Sequence, residues 1–115
     1  MALLAWTLGE NIADLGGLNI AYDALQTALK SNLREASEKI DGMTEDQRFF
    51  LSWARVYRAN AREKQTEPYL NTDPHSPDSV RAIAAPPDMP MFAQAFQCKD
   101  GDLMVRSGAK QVKIW

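Results

Sequence analysis

Residues 9–17 read GENIADLGG and lie inside a long stretch with helical period. Apolar residues recur on either side of this motif at spacings of three, four or seven, which is typical of a helix with one apolar stripe. The stripe consists of Leu8, Ile12, Leu15, Tyr22, Leu25, Leu29 and Leu33. This period predicts a first helical region over residues 1–40, which Asp41-Gly42 ends.

Two carboxylates of the motif, Glu10 and Asp14, are one helical turn apart and share a face about a quarter-turn from the apolar stripe. Small residues continue that face and let another element approach the backbone; they are Ala13, Gly17, Ala21, Ala24 and Ala28. Acids in such a contact need a metal ion, a cation or a hydrogen-bond donor. The alternative is a solvated first turn in which acids favour the helix dipole. Gly9, Gly16 and Gly17 weigh against it, since each costs about 0.5–1 kcal/mol relative to Ala.

A second helix is predicted over residues 44–65. Thr44 and Gln47 have the spacing of a capping box, which begins this helix. Five of its residues are predicted to face inward: Phe49, Phe50, Trp53, Val56 and Tyr57.

Residues 66–115 differ in composition from the first part of the chain, because all six prolines lie between positions 68 and 90. We expect a long Pro-rich loop, short helices and an extended tail that ends at Trp115. Ser76 and Pro77 are predicted as the cap and first residue of one short helix. Pro90 is predicted to begin another, and Asp100-Gly101 to turn the chain toward the tail. The predicted fold class is predominantly α.

The single histidine, His75, lies in the loop DPHSP at residues 73–77, six positions before Arg81. The prolines restrict the backbone of this loop. A histidine and an arginine fixed near each other suit the binding of an anion or a developing oxyanion. Taken in isolation, a loop histidine before a capping serine is more often an ordinary surface residue.

The composition excludes several classes of protein. The chain has 115 residues, which fits one domain. Its formal net charge of -2 lacks the excess of positive charge that binding to nucleic acid or anionic lipid requires. Cys98 is alone, so it forms neither an internal disulfide nor a Cys-rich zinc site, and we expect it to be a buried, inert thiol. Four arginines are interpreted as a solvated or salt-bridged face: Arg48, Arg55, Arg58 and Arg62.

The GENIADLGG motif strongly resembles the third-ligand motif of the neprilysin and endothelin-converting-enzyme family of zinc metallopeptidases. Further blocks resemble the family's C-terminal blocks in the same order. They are Asp46-Gln47-Arg48-Phe49-Phe50, Trp53, Tyr57-Arg58, Asp73-Pro74-His75-Ser76-Pro77, Arg81, Met89-Pro90, Phe92, Ala95-Phe96-Gln97-Cys98 and Trp115. The resemblance implies the helical C-terminal part of a thermolysin-like (gluzincin) catalytic lobe, with residues 1–40 as its third-ligand helix region.

The resemblance also implies roles for four residues. Glu10 corresponds to the glutamate that binds zinc, and Asp14 to a carboxylate that orients a ligand histidine. His75 corresponds to the histidine that donates to the oxyanion of the tetrahedral intermediate, and Arg81 to the arginine that holds the substrate carbonyl. The implied cofactor is zinc, and the implied substrates are peptides hydrolysed by zinc-activated water.

The family's H-E-x-x-H helix, which supplies two histidine ligands and the catalytic glutamate, has no counterpart in this sequence. We therefore expect the C-terminal portion of a peptidase, inactive alone, whose partner is the missing N-terminal part. The alternative is a non-catalytic helical interaction module that self-associates as a homo-oligomer through the uncovered helix face or binds the missing lobe.

Smaller departures from the family concern the compartment. Ala54 and Val112 stand where vertebrate members carry cysteines, which indicates a bacterial-type member and leaves cytoplasm, periplasm and cell envelope open. Asp88 stands where the family often has Asn, and we expect little functional effect from it.

Overall fold

The computed structural model describes the backbone of residues 2–114 and the side chains of residues 6–114. Met1 and Trp115, the expected last residue of the tail, lie outside the described residues. Six α-helices follow one another in the described part: α1 (Ala2–Lys30), α2 (Leu33–Ser37), α3 (Glu45–Val56), α4 (Glu63–Thr72), α5 (Asp78–Ala84) and α6 (Pro90–Phe96). Two short 3-10 turns, Pro86–Asp88 and Gly108–Lys110, accompany them. The predominantly α fold class is confirmed.

The core is formed by side chains of α1, α3, α6 and the segment around the first 3-10 turn. Its buried members are Leu15, Leu18, Tyr22, Phe50, Ala85 and Met89. Aromatic rings join the helices, because Phe50 stacks on Tyr22 at 5.8 Å between centroids and meets Phe49 and Phe92 edge-on at 5.2 Å. Such ring pairs add to the free energy gained from apolar burial.

Only the middle of the predicted apolar stripe on α1 is buried. Leu15, Tyr22 and Leu29 are at most 8% exposed, whereas Leu8, Ile12 and Leu33 are 55%, 41% and 77% exposed. Leu33 lies outside the stripe because α1 ends at Lys30 and the chain changes direction before α2 begins. Within residues 2–114, no helix is both long enough and apolar enough to cross a membrane.

A tight turn links the first helical region to α3. Asp41 and Gly42 both adopt left-handed backbone angles, with φ of 52° and 77°, and an antiparallel bridge joins Ile40 to Met43 across them. An Asp-Gly pair suits this turn because it requires φ above zero at both central positions. The predicted capping box follows at once and is confirmed, since Thr44 N donates to Gln47 Oε1 at 3.0 Å and Gln47 N donates to Thr44 Oγ1 at 3.3 Å.

The second helix is shorter than the expected 44–65. It ends at Val56, Tyr57 acts as its C-cap, and residues 57–62 are irregular. A separate helix, α4, then occupies the beginning of the region expected to be a loop, and Pro68 lies inside it. Val56, expected to face inward, is 75% exposed because it lines an open groove beside Gly17 and Ala21 of α1.

The short helices near the C-terminus form largely as expected. Pro90 is the first residue of α6, which carries Phe92, Ala95 and Phe96, and Gly101 turns the chain with φ of 95°. Cys98 is half-buried rather than buried, because it lies beyond the end of α6 at the edge of the core.

Asp88, whose replacement of the family's usual Asn was expected to have little functional effect, anchors the C-terminal tail. Its buried carboxylate accepts a hydrogen bond from Val112 N at 2.8 Å and forms an ion pair with Arg106. Arg106 N also donates to Pro87 O at 2.9 Å. A charged acceptor that receives several donors offsets its own desolvation, so Asp88 fixes residues 106–112 against the core.

Candidate functional site

Two carboxylates on α1 face the segment that connects α4 to α5. The side chain of Glu10 is 41% exposed and that of Asp14 is 13% exposed. Unlike these partly buried acids, the small residues that continue this face are exposed: Ala13, Gly17, Ala21, Ala24 and Ala28. At Gly17, an added Cβ atom would meet no atom within 4 Å. The face is therefore wide open next to a pair of partly buried acids.

The loop over residues 73–77 presents His75 to this face. The Asp73 carboxylate accepts hydrogen bonds from His75 N at 2.8 Å and contacts the ring Nδ1 at 2.7 Å. These bonds to the backbone N–H and to the ring of His75 hold the pKa of Asp73 below its usual range. An aspartate that bonds the backbone two residues on forms an Asx turn, and here the same oxygen orients the imidazole.

The other ring nitrogen of His75 points at α1. Its Nε2 atom lies 3.1 Å from Glu10 Oε2. The imidazole therefore lies between two carboxylates, Asp73 from its own loop and Glu10 from a helix 65 positions earlier in the chain.

Arg81 on α5 contacts the second acid of the motif. Its Nε and Nη2 atoms donate to the two oxygens of Asp14 at 2.8 and 2.7 Å. The hydrogen bonds to Asp14 raise the pKa of Arg81 above its usual value. The guanidinium also lies over the Tyr57 ring, 4.7 Å from its centroid, and Trp53 Nε1 donates to Arg81 O at 3.2 Å. The Tyr57 ring and the Asp14 carboxylate hold the side chain of Arg81, and the Trp53 indole holds its backbone carbonyl.

Ser76 does not cap α5 as expected. Pro77 is the N-cap and makes no side-chain capping bond, while the Ser76 hydroxyl donates to Asn11 Oδ1 on α1 at 2.9 Å. Ser76 is only 5% exposed, so its hydroxyl needs a partner within the protein. A second bond, from Trp6 Nε1 to Asp73 O at 3.1 Å, attaches the start of the same loop to α1.

The structure thus brings together the four residues singled out in the sequence: Glu10, Asp14, His75 and Arg81. The sequence analysis gave no role at this site to Asp73, Tyr57, Trp53 or Asn11, although it predicted that Trp53 and Tyr57 face inward. For Asp73 a signal was present, because an aspartate two positions before a histidine and followed by proline is the pattern of an Asx turn. The contacts of Tyr57 and Asn11 join distant segments and leave no local signal.

The side chains that the structure describes do not form a complete zinc site by themselves. Among residues 6–114, no group of three or more His, Cys, Asp or Glu side chains is arranged to hold a metal ion. Catalytic zinc sites use three protein ligands, and Glu10 offers a single carboxylate on an open face. The remaining ligands would have to come from another segment.

The sequence of this chain is similar to that of several known proteins. The model of Peptidase family M13 matches residues 4–112. Human endothelin-converting enzyme 1 is 42% identical over 98 residues, which cover 85% of this chain and 13% of the relative. Neprilysin-3 of Drosophila melanogaster is 39% identical over 111 residues, 95% of this chain and 14% of the relative.

Among solved structures, the Mycobacterium tuberculosis zinc metalloprotease Zmp1 in its open state superposes with a TM-score of 0.86 at 39% identity. The superposition covers 96% of this chain and 17% of Zmp1. The chain thus spans about one-seventh of the length of the curated relatives it matches. The resemblance inferred from the sequence is confirmed, and the chain belongs to Peptidase family M13.

Proposed function

We propose that this chain forms one side of the active site of a zinc metalloendopeptidase, with Glu10 as one of the metal ligands. The observation that carries the proposal is the meeting of two distant segments. On α1, Glu10 contacts the imidazole of His75. Asp14 contacts the guanidinium of Arg81. Carboxylate, imidazole and guanidinium in one place can bind a metal ion, donate to an oxyanion and hold a substrate carbonyl, which are steps that support peptide hydrolysis.

His75 is proposed to donate a hydrogen bond to the oxyanion that forms when the peptide carbonyl is attacked. Its ring is held from behind by Asp73, which fixes the direction in which Nε2 points. A donor fixed in advance stabilises developing charge without a cost of reorganisation during the reaction. The 3.1 Å contact with Glu10 places that nitrogen beside the proposed metal ligand.

Arg81 is proposed to hold the carbonyl of the peptide next to the bond that is cleaved. A guanidinium has five N–H donors, and two of its nitrogens, Nε and Nη2, each donate to Asp14. The Asp14 hydrogen bonds and the Tyr57 ring hold the guanidinium in a fixed plane, so its remaining N–H groups also point in fixed directions. Asp14 accepts two bonds here, and a carboxylate can accept about four, which is compatible with its proposed second role of orienting a ligand histidine.

The surface of α1 supports the proposal that another part of the protein covers it. Trp6, Leu8 and Ile20 are 58%, 55% and 62% exposed. By helical period Trp6 and Ile20 share one side of the helix, and Leu8 lies on another. A helix with apolar residues on most of its circumference is normally enclosed by other elements. We propose that the missing N-terminal part of the peptidase provides this cover together with the H-E-x-x-H ligands, and that the chain is inactive without it.

A chimera tests this proposal. In it, the chain replaces the residues that match it in Zmp1, and hydrolysis of a peptide is measured. We expect the chimera to cleave the peptide, Glu10→Gln to abolish cleavage, and Asp23→Asn, at an exposed acid on the same helix, to leave it unchanged. A folded chimera that cleaves equally well with Glu10→Gln would overturn the proposal.

Light scattering of the chain alone tests the alternative of a self-associating module. The exposed faces of α1 make association possible. A stable oligomer that persists when the missing part is supplied would favour the module, whereas an oligomer that dissociates on adding that part would favour the peptidase.

A further inference from the structure

From the contacts between the His75 loop and α1, we infer that Asn11 is a positioning residue, which sets the distance between His75 and Glu10 by binding the Ser76 hydroxyl. The inference rests on the proposed role of His75. Asn11 follows Glu10 in the sequence and Ser76 follows His75, so the Asn11–Ser76 hydrogen bond joins the immediate neighbours of the pair that it would position.

The His75 loop is stiff in itself. Pro74 and Pro77 fix two of its backbone φ angles, and Asp73 holds both the backbone N–H and the ring of His75. A stiff loop moves as a unit, so the contacts that attach it to α1 decide where Nε2 lies. The stiffness of the loop fixes the direction of the His75 ring relative to the loop. It does not fix the distance between that ring and Glu10.

Among the side chains of residues 6–114, hydrogen bonds from Trp6 and to Asn11 attach this loop to α1, in addition to the His75–Glu10 contact. The bond from Trp6 Nε1 to Asp73 O is exposed, and exposed polar contacts compete with water. The bond from Ser76 to Asn11 is 2.9 Å long, and Ser76 is 5% exposed. A buried hydroxyl that loses its partner pays the cost of desolvation. The Asn11–Ser76 bond is therefore the stronger of the two attachments.

Asn11 is itself held in place. Its Nδ2 atom lies 3.5 Å from Thr7 Oγ1, one turn earlier on α1, and Thr7 is 6% exposed. This contact favours the amide orientation in which Oδ1 faces Ser76 and accepts the hydrogen bond from its hydroxyl. The amide also brings no charge next to Glu10, as an aspartate at this position would.

The test uses the fact that the chain has one histidine, so its imidazole signals in an NMR spectrum need no assignment. The readout is the cross-peak between the His75 ring and the Glu10 side chain, together with the ring chemical shifts. We expect Asn11→Ala and Ser76→Ala each to lose the cross-peak and shift the ring signals, and the double variant to add nothing further. Ser76→Thr, which keeps the hydroxyl, should restore the cross-peak.

Asn19→Ala is the matched control, because Asn19 lies on α1 and its amide donates to Leu15 O within the same helix at 2.8 Å. Signals of the Phe50 ring report whether each variant keeps its core. A cross-peak that survives in Asn11→Ala or Ser76→Ala with an intact core, or additive effects in the double variant, would overturn the inference. The measurement needs neither metal nor substrate, so its failure is distinct from an inactive chimera.

Discussion

Arg81 and Asp14 are 67 positions apart in the sequence and are joined by two hydrogen bonds of 2.8 and 2.7 Å. The pair fixes α5 on α1, and because His75 lies in the loop that leads into α5, it also holds that loop in place. Both side chains are largely buried, at 18% and 13% exposed. The candidate site therefore depends on a contact that also contributes to the stability of the fold.

Asp14→Asn is expected to lower the free energy of unfolding by about 2 kcal/mol, because a neutral amide replaces a carboxylate in charge-assisted bonds. Denaturation by urea measures the change. Asp23→Asn serves as the control, since Asp23 is an exposed acid on the same helix. Equal effects of the two variants would contradict a specific role for the Arg81 pair.

Gly17→Ala is expected to have opposite effects in two settings. In the chain alone, alanine should raise the free energy of unfolding by about 0.5–1 kcal/mol, because the added Cβ atom meets open space and alanine favours the helix. In the Zmp1 chimera the same change should lower stability, because another element is proposed to pack closely on that face. Thermal unfolding of both proteins gives the comparison, and stabilisation in both would argue against close packing at Gly17.

Tyr22 gives the fold a dependence on alkaline pH. Burial first, and then the charge and hydrogen bond of Asp46, raise the pKa of Tyr22 from 10.0 to about 12. The folded state thus keeps the phenol proton at pH values where the unfolded state loses it, and stability present below pH 10 is lost as the pH rises to about 12. The loss is on the order of 1 kcal/mol for each unit of pKa difference.

Tyr22→Phe should reduce this loss, because phenylalanine has no proton to release. Unfolding by urea at pH 8, 10 and 11 would show a flatter profile for the variant. The variant keeps a dependence of the same sign from Tyr57, since burial also raises the pKa of that phenol. Identical profiles for the variant and the parent chain would rule out Tyr22 as the source.

Asp88→Ala is expected to release the tail. The change removes the acceptor for Val112 N and the partner of Arg106, so amides near residues 105–112 should exchange with deuterium faster. Asp88→Asn keeps an acceptor oxygen and should have a smaller effect. Protection that is equal in both variants and the parent chain would show that Asp88 does not anchor the tail.

Much of the fold follows from local patterns in the sequence. The capping box at Thr44, the start of α6 at Pro90 and the turn at Asp41-Gly42 all depend on neighbouring residues, and the structure has them where they were expected. The early end of α3 was missed, because Tyr57 lies against the guanidinium of Arg81, 24 positions later in the chain, and no local pattern shows that contact.

The sequence singled out four residues of the candidate site, but it did not show their contacts or the residues that hold them. Glu10 and Asp14 share a face because of helical period alone, whereas the bond of Ser76 to Asn11 connects segments 65 positions apart. Ser76 therefore resembled a local cap. Exposure was misjudged for a similar reason, since Val56 has the spacing of an inward residue but lines a groove that the described part of the chain leaves open.

The proposed zinc site is tested most directly by the zinc content of three purified proteins after dialysis. They are the chain alone, the Zmp1 chimera and the chimera with Glu10→Gln. A site completed from another segment predicts no stoichiometric zinc in the chain alone, one zinc per chimera, and a large loss of zinc with Glu10→Gln. Stoichiometric zinc in the chain alone, or full zinc retention in the Glu10→Gln chimera, would contradict the proposal that Glu10 is one ligand of a shared site.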